Sequence, residues 1–125
     1  MTQETTRFEL LMDAGNGAQK AGDILIKALA KLGRHVFIEP LIPAEISPPK
    51  RTPYSMSGVV IRHSEHPIYC IGSSSELMVV EHEILLKRRL EDAEYRPDGV
   101  VLLDMAFESR HKEDYAECIA DAESK

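Results

Sequence analysis

Short apolar runs and one longer segment of helical periodicity alternate along the first forty residues. Residues 8–12 (FELLM) form an apolar run that predicts a strand, and residues 35–38 form a second one. Between them, a turn with two glycines leads into apolar positions at the spacing of one helix face, ended by Gly33, which tolerates a left-handed backbone. These runs predict a strand–helix–strand unit. The predicted helix face holds Ala18, Ala21, Ile24, Leu25, Ala28, Leu29 and Leu32.

The rest of the chain shows the same alternation after a proline-rich break. Five prolines between positions 40 and 53 predict a long loop, because proline donates no backbone hydrogen bond. Two β-branched runs at 57–62 and 68–71, joined by a turn-like linker, predict a β-hairpin. The other predicted elements are a strand at 77–80, a helix at 83–94, a turn at 97–99, a strand at 100–103 and a surface helix within 108–125.

Continuous apolar strands that alternate with helices are typical of a sheet covered on both faces. The sequence therefore predicts the α/β class, as a three-layer sandwich whose central sheet is mixed and mostly parallel. With 125 residues, the chain is expected to form one domain. We expect the core of that domain within residues 7–104 and a charged tail over residues 105–125.

Composition and charge exclude some classes of function. The net charge of −6 at pH 7 argues against a nucleic-acid partner, which needs a basic face. No apolar run approaches the roughly 20 residues that span a bilayer, and the N-terminus lacks the pattern of a signal peptide. Cys70 and Cys118 are expected to be free thiols in a reducing compartment. We therefore expect a cytoplasmic protein with no membrane span.

The turn after the first strand carries the strongest chemical signal. Gly15 and Gly17 allow a tight turn that directs first-turn N–H groups and the positive helix end to one point, where anions bind. Gly22 is expected to let the helix pack closely on the sheet. Glu39 stands about 20 residues further on, where a dinucleotide site holds the ribose. Three interpretations stay open: a tight turn without ligand, a site for a phosphate such as that of CoA, and a NAD site.

One histidine-rich segment has the residue types of a metal site. His63 and His66 flank Glu65, and Cys70 follows shortly after. A transition-metal site needs about four converging ligands, whereas residues at a hairpin tip are solvated and mobile. The turn context of the segment therefore favours no metal here.

Two charged segments have ordinary structural interpretations beside chemical ones. Glu81, His82 and Glu83 follow a predicted strand, at the edge where open α/β sheets bind ligands. The two acids are expected to lead into the next helix, because negative charge stabilises a helix N-terminus. Residues 87–89 (KRR) are predicted to form a solvated helix face.

The glycine turn and four segments follow one another in an order that is typical of a known family. The segments are AGDILIKALAKLGRHVFIEP, SGVVIRHSEHPIYC, SELMVVEHEILLKRR and PDGVVLLD. In this order they resemble the gamma domain of 2-oxoacid:ferredoxin oxidoreductases, whose turn reads glycine-x-glycine-glycine-glutamine-glycine. Gly15, Gly17 and Gln19 match that turn, and Ala18 and Lys20 replace glycines. The resemblance covers about residues 7–104 and implies a Rossmann-like gamma domain, shortened at its C-terminal end.

The resemblance implies an accessory role in a larger enzyme. Members of the family oxidatively decarboxylate a 2-oxoacid on thiamine diphosphate, pass electrons through iron–sulfur clusters to ferredoxin, and release an acyl-CoA. Thiamine diphosphate and the clusters are then expected on catalytic partner subunits of a hetero-oligomer, with ferredoxin as an indirect partner. The gamma domain itself implies no catalytic residue and no metal; it packs on those subunits and helps to bind CoA. The binding residues implied here are Gly15, Gly17, Ala18, Gln19, Lys20 and Arg51.

Two functions from other classes stay open beside this one. The first is a small stand-alone Rossmann-like protein that binds a nucleotide at residues 15–19. The second is a structural relative without any ligand. A ligand that binds only the folded chain raises its melting temperature, so CoA and NAD separate these functions.

Overall fold

The computed structural model describes residues 5–43, 56–91, 95–105 and 111–123. Five strands and three helices follow one another in this part of the chain. The predicted long loop and Arg51 fall largely or wholly in residues 44–55, outside the described residues. The elements are β1 (Thr5–Asp13), α1 (Ala18–Lys31), β2 (His35–Leu41), β3 (Met56–Ser64), β4 (Ser75–Val80), α2 (Glu83–Glu91), β5 (Tyr95–Leu103) and α3 (Lys112–Glu123).

The five strands form one mixed sheet in the order β2-β3-β1-β4-β5. β1 pairs with β3 and β3 with β2 in antiparallel fashion, whereas β1–β4 and β4–β5 are parallel. The predicted α/β class with a mixed sheet is confirmed. Parallel and antiparallel pairs are equal in number, so the parallel part is half of the sheet. This part matters most, because it brings the carboxyl ends of β1, β4 and β5 to one edge.

Helices cover both faces of the sheet and give the predicted three layers. On one face, α1 lies over β1, β2 and β3, with a core around Leu10, Val59 and Ile61. On the other face, α2 and α3 pack over the parallel strands around Leu11 and Met78. Successive strand residues point to opposite faces, which explains why Leu10 and Leu11 enter different cores. We call the two sides the α1 face and the α2 face.

The predicted role of Gly22 is confirmed. Gly22 is buried in α1, and a Cβ built on it would lie 2.8 Å from a methyl carbon of Val59 in β3. The helix ends as predicted before Gly33, whose φ of 80° is left-handed.

The prediction that Leu32 lies on the buried helix face is wrong: Leu32 follows the last helical residue and is 77% exposed. Ala28 is exposed as well. The prediction is also wrong for Ile24, which is 59% exposed, whereas Ile26 packs against the core in its place.

The predicted hairpin between 57–62 and 68–71 is wrong. The first run is β3, but it pairs with β1 on one side and β2 on the other. Residues 68–71 form no strand. Both flanks of β3 are already occupied, so a central strand has no edge left for a hairpin partner. The predicted turn at 97–99 also lies within β5, where the pairing with β4 shifts register.

The edge strand β2 extends three residues further than predicted. Pro40 was expected to end the strand, yet it pairs in register with Val59. β2 lies at the edge of the sheet, where a residue without an N–H is tolerated.

The charged tail forms the predicted helix, and two of its side chains are buried. Tyr115 and Cys118 of α3 are nearly inaccessible to solvent. The Tyr115 hydroxyl donates to the carbonyl of Asp104 at 3.1 Å, which ties α3 to the residue after β5. α3 thereby completes the layer on the α2 face. None of the helices in the described segments is long and apolar enough to traverse a bilayer.

A buried cluster of charges links β1, β4 and α2 on the α2 face. Glu9 is inaccessible and accepts from the Ser75 hydroxyl at 2.5 Å and from Arg7 at 3.3 Å. Its second oxygen lies 2.5 Å from a guanidinium nitrogen of Arg89. Residues 87–89 were predicted to form a solvated helix face. The prediction is correct for Lys87 and Arg88, which are exposed, and wrong for Arg89, which is buried. Two cations around one carboxylate satisfy the requirement that buried charges be paired.

We expect the two cysteines to react at very different rates. Burial, followed by the nearby carboxylates of Asp121 and Glu83, raises the pKa of Cys118 to about 11, whereas Cys70 is exposed. Only a thiolate attacks a disulfide reagent. At pH 8, titration with dithionitrobenzoate should give one fast thiol, which Cys70→Ser removes, and a second after unfolding in guanidinium. Two equally fast thiols in the native protein would contradict this accessibility.

We expect stability to fall below neutral pH because of His63. Burial, and then the Arg34 guanidinium, lower the pKa of His63, while Glu76 offsets part of the effect. Arg34 Nε donates to Nδ1 of His63 at 3.1 Å, which requires the neutral ring. As pH falls through about 6.5, the unfolded state takes up a proton before the folded state, so stability is lost. Melting temperatures at pH 7.5 and 5.5 should differ less in His63→Gln than in wild type, and the exposed His66→Gln should behave as wild type.

Candidate functional site

Each of the three parallel strands is followed or ended by an acidic residue at the same sheet edge. Asp13 ends β1, Glu81 follows β4, and Asp104 follows β5. α1 leaves β1 toward one face and α2 leaves β4 toward the other, so the chain diverges between these two strands. Such a divergence opens a crevice at the carboxyl ends of an open α/β sheet, and ligands bind there. We take this edge as the candidate site.

Asp13 and His82 form a buried pair at the base of the crevice. Nε2 of His82 lies 2.9 Å from a carboxylate oxygen of Asp13, and both side chains are nearly inaccessible. His82 directly precedes α2, and its carbonyl accepts from Leu86 of that helix. The pair thus fixes the start of α2 to the end of β1. The sequence singled out His82 but not its partner.

Glu81 binds the glycine turn from the neighbouring strand. One oxygen of its carboxylate accepts from the backbone N–H of Asp13 at 2.6 Å, and the other from the Asn16 side-chain amide at 2.5 Å. Its own N–H donates to the carbonyl of Leu11 at 2.9 Å. The prediction that both acids lead into α2 is correct for Glu83, the first residue of the helix, and wrong for Glu81.

The two glycines adopt the backbone that their turn requires. Gly15 and Gly17 have φ of 93° and 95°, in the left-handed region that disfavours other residues. Gly17 caps α1 without a side-chain acceptor, and the first turn holds no acidic residue. The N–H groups of a first helical turn have no intrahelical acceptor. The positive end of α1 therefore carries no carboxylate of its own first turn or cap.

The side chains of residues 18–20, at the start of α1, differ in their surroundings. Gln19 donates its amide to the carbonyls of Gly58 at 2.6 Å and Leu41 at 3.2 Å, so it joins the start of α1 to β3 and β2. Lys20 is exposed, and Ala18 is buried. The structure thus gathers residues 15–20 in one turn, with only Lys20 projecting a charge.

The register of the sheet places Glu39 far from the glycine turn. Glu39 pairs with Val60, and Val60 pairs with Glu9, which lies four residues before the end of β1. Glu39 is therefore about 10 Å from β1 across two strand spacings and roughly 13 Å short of the carboxyl edge. In a dinucleotide site the acidic residue ends a strand next to the first one. The NAD interpretation loses its ribose-binding residue.

A groove of about 690 Å³ opens beside the turn at this edge. It is lined by Asn16 and Glu81 from the loops, by Val79 from β4 and by Leu102 and Asp104 from the end of β5. Apolar walls with a few polar groups are typical of binding sites. The groove carries the acidic side chains of Glu81 and Asp104 beside Asn16 of the glycine turn.

Metal-ligand residue types come together in two places among the described residues. Asp13, Glu81 and His82 bring one ligand atom each within 4.8 Å of one another, as do Glu83, His111 and Asp114. In the first group, Glu81 and His82 already bind Asn16 and Asp13. His63, His66 and Cys70 belong to no such group within the described ranges.

Comparison with known proteins gives matches in structure only. Neither a scan against models of protein families nor a search of curated proteins finds a match. A 2-oxoglutarate:ferredoxin oxidoreductase from Magnetococcus marinus, solved with 2-oxoglutarate, coenzyme A and succinyl-CoA bound, superposes with a TM-score of 0.65 at 18% identity. The gamma subunit of a keto/oxoacid ferredoxin oxidoreductase from Geobacter sulfurreducens gives 0.62 at 16%. The PORC subunit of pyruvate oxidoreductase from Thermotoga maritima gives 0.58 at 21%.

These matches cover most of this chain and a smaller share of the other proteins. They span 90%, 82% and 88% of the present chain, but 22%, 51% and 56% of the respective solved chains. The chain therefore corresponds to about half of the two separate subunits and to one part of the larger protein. At such low identity the likeness concerns the fold. The resemblance predicted from the sequence is confirmed at that level: this chain has the fold of gamma-type subunits of 2-oxoacid:ferredoxin oxidoreductases.

Proposed function

We propose that this chain is an accessory, gamma-type subunit of a thiamine-diphosphate-dependent 2-oxoacid:acceptor oxidoreductase in the cytoplasm. The observation that carries the proposal is the likeness of fold, over more than four fifths of the chain, to a gamma subunit, to a PORC subunit and to part of a 2-oxoglutarate:ferredoxin oxidoreductase. In this function the chain packs on catalytic subunits that hold thiamine diphosphate and iron–sulfur clusters. Those subunits pass electrons to ferredoxin.

We further propose that the glycine turn contributes to binding CoA. The Magnetococcus protein was solved with CoA bound. In the present chain, the start of α1 combines first-turn N–H groups, a glycine cap and the exposed Lys20, which together suit a phosphate. Gly15 and Gly17 permit close approach of the phosphate, and the N–H groups of Ala18 and Gln19 donate to it. Arg51 adds positive charge to the same site in this proposal.

Copurification tests the accessory role. The full chain, tagged and expressed in its native host, should recover polypeptides that bind thiamine diphosphate and an iron–sulfur cluster, identified by mass spectrometry and cofactor analysis. Oxidation of a 2-oxoacid should accompany the recovered complex. A tagged chain that elutes alone, or with proteins of another class, would contradict the proposed function.

Melting temperature tests the CoA contact. Millimolar CoA should raise the melting temperature of the chain or its complex, because a ligand that binds only the native state stabilises it. Lys20→Glu should remove at least half of the shift by placing an anion at the positive end of α1. Lys31→Glu, at the far end of the same helix, is the matched control and should keep the shift. Equal shifts in all three proteins, or a shift with NAD alone, would contradict the contact.

A further inference from the structure

A smaller cavity of about 250 Å³ lies at the edge of the sheet opposite to the candidate site. Its lining comes from the start of β1, the end of β3 and the segment that leads into β4. β1 runs from one edge to the other over nine residues, which span roughly 26 Å in an extended strand. The cavity is therefore separate from the groove beside the glycine turn. We call it the amino-edge cavity.

Arg62 lines the amino-edge cavity with a charge that forms no ion pair with a described carboxylate. The side chain is half-buried, and one guanidinium nitrogen donates to the carbonyl of Cys70 at 3.0 Å and to its sulfur at 3.2 Å. Within the described segments these are its hydrogen-bond partners, whereas Arg34 has an ion pair with Glu65. A charge that is partly removed from water is stabilised by a counter-ion. The cavity therefore favours an anion.

The loop before β4 adds neutral donors to the same cavity. Ser73 and Ser74 line it, and neither donates a hydrogen bond to another residue that the structure describes. Gly72 has a left-handed φ of 80°, and a Cβ built on it would lie 3.6 Å from Nε of Arg62. Successive N–H groups in a turn of this kind form concavities that bind anions. The N–H and hydroxyl groups of the two serines thus share the cavity with the guanidinium of Arg62.

Two arginines hold this loop in place. Nε of Arg7 donates to the carbonyl of Ile71 at 3.1 Å, and Arg62 donates to the carbonyl of the residue before it. Arg7 is 6% exposed, and its guanidinium also binds Glu9 and Ser75, so it serves as a fixed wall of the cavity. A loop that is already fixed loses little conformational freedom when a ligand binds.

We propose that the amino-edge cavity binds a phosphate-class oxyanion, held by the guanidinium of Arg62 and by the N–H and hydroxyl groups of Ser73 and Ser74. A planar guanidinium suits the oxygens of a phosphate, and bonds to a charged acceptor are stronger than neutral ones. Glu76 also lines the cavity and has interactions of its own. Its charge opposes an anion, so Glu76→Gln should tighten binding. The site lies outside the proposed function, because that function uses the opposite edge of the sheet.

Calorimetric titration of the full chain with inorganic phosphate tests the site. Arg62→Gln should weaken binding about tenfold, the loss expected for one hydrogen bond to a charged group. Lys27→Gln is the matched control, because it removes the same charge from an exposed position of α1, and it should bind like wild type. Ser73→Asp, also at an exposed position, puts a carboxylate into the cavity and should abolish binding without lowering the melting temperature. Wild-type affinity in both cavity variants would overturn the site.

Amide NMR spectra locate the bound phosphate. Titration should shift the N–H signals of Ser73 and Ser74, in Lys20→Glu as in wild type. Shifts confined to residues 15–20 would overturn the amino-edge cavity and leave the glycine turn, and with it the proposed function, intact. A chain that recovers no thiamine-dependent subunit would refute the proposed function, and the shifts of the two serines would still support this site.

Glycerol phosphate distinguishes the two sources of the oxyanion. Binding at least as tight as that of inorganic phosphate would assign the phosphoryl group of an organic phosphate, whereas binding several-fold weaker would assign free phosphate. Sodium chloride at matched ionic strength should give no comparable heat and no shift at Ser73 and Ser74. The same response to chloride would reveal general charge screening and overturn the site.

Discussion

Replacing Glu9 by Gln should lower the free energy of unfolding by about 3–5 kcal/mol, the cost of leaving a buried charge without its partner. Glu9 is inaccessible and holds Arg7, Arg89 and the Ser75 hydroxyl around one carboxylate. The neutral amide keeps the shape of the side chain but leaves two buried guanidinium groups with less compensating charge. Urea unfolding, followed by circular dichroism, measures the difference.

A double-mutant cycle separates the lost charge from a general disturbance of the core. Glu9→Gln combined with Arg89→Met should lose less stability than the sum of the two single variants, because the second change removes one unpaired cation. Glu39→Gln, on the exposed edge of the sheet, is the matched control and should unfold like wild type. A loss below about 1 kcal/mol in Glu9→Gln would mean that the cluster is not a coupled unit.

Replacing Gly22 by Ala should destabilise the protein by about 1–3 kcal/mol, although alanine is the better helix former by about 1 kcal/mol. The added methyl would lie 2.8 Å from Val59, which is itself fully buried in β3. The helix and the sheet must then move apart, and the core beneath α1 loses contacts. Thermal unfolding of the variant measures the effect.

Making Gly22→Ala in a Val59→Ala variant tests whether the contact with Val59 causes the loss. With the valine methyls removed, the alanine at position 22 has room, and Gly22→Ala should become neutral or stabilising. Asp23→Ala, at the neighbouring exposed position of the helix, controls for helix propensity alone. The same loss in both backgrounds would show that the close contact with Val59 is not the cause.

Local rules predicted the elements of this fold well, and pairing between distant segments poorly. The helical spacing from Ala18 onward, the stop at Gly33 and the close contact at Gly22 each depend on a few neighbouring residues, and the structure confirms them. The hairpin at 57–71 was wrong, because the pattern of β3 does not reveal that β1 and β2 take both of its edges. Pro40 illustrates the same limit, since its tolerance depends on β2 being an edge strand.

The candidate site was predictable in part. The glycines were recognisable because a left-handed turn before a helix restricts the residue type. The interaction of Glu81 with the turn was missed, since it joins positions 68 residues apart. A signal did exist: the apolar runs of β1, β4 and β5 each lead directly to an acid, Asp13, Glu81 or Asp104. Taken together, these three strand ends indicate one shared acidic edge of the sheet.

Pro40 in the edge strand β2 restricts how further copies of this chain can add to the sheet. Copies of a chain form an open-ended ribbon only if both edge strands of the sheet can pair with another copy, because each new copy adds to the edge of the last one. Pro40 interrupts the row of amide donors on one margin. Polymerisation by head-to-tail strand addition is thereby discouraged, and any enlargement of the sheet is confined to the opposite side. The free chain is thus less prone to form fibrils through the margin that carries Pro40.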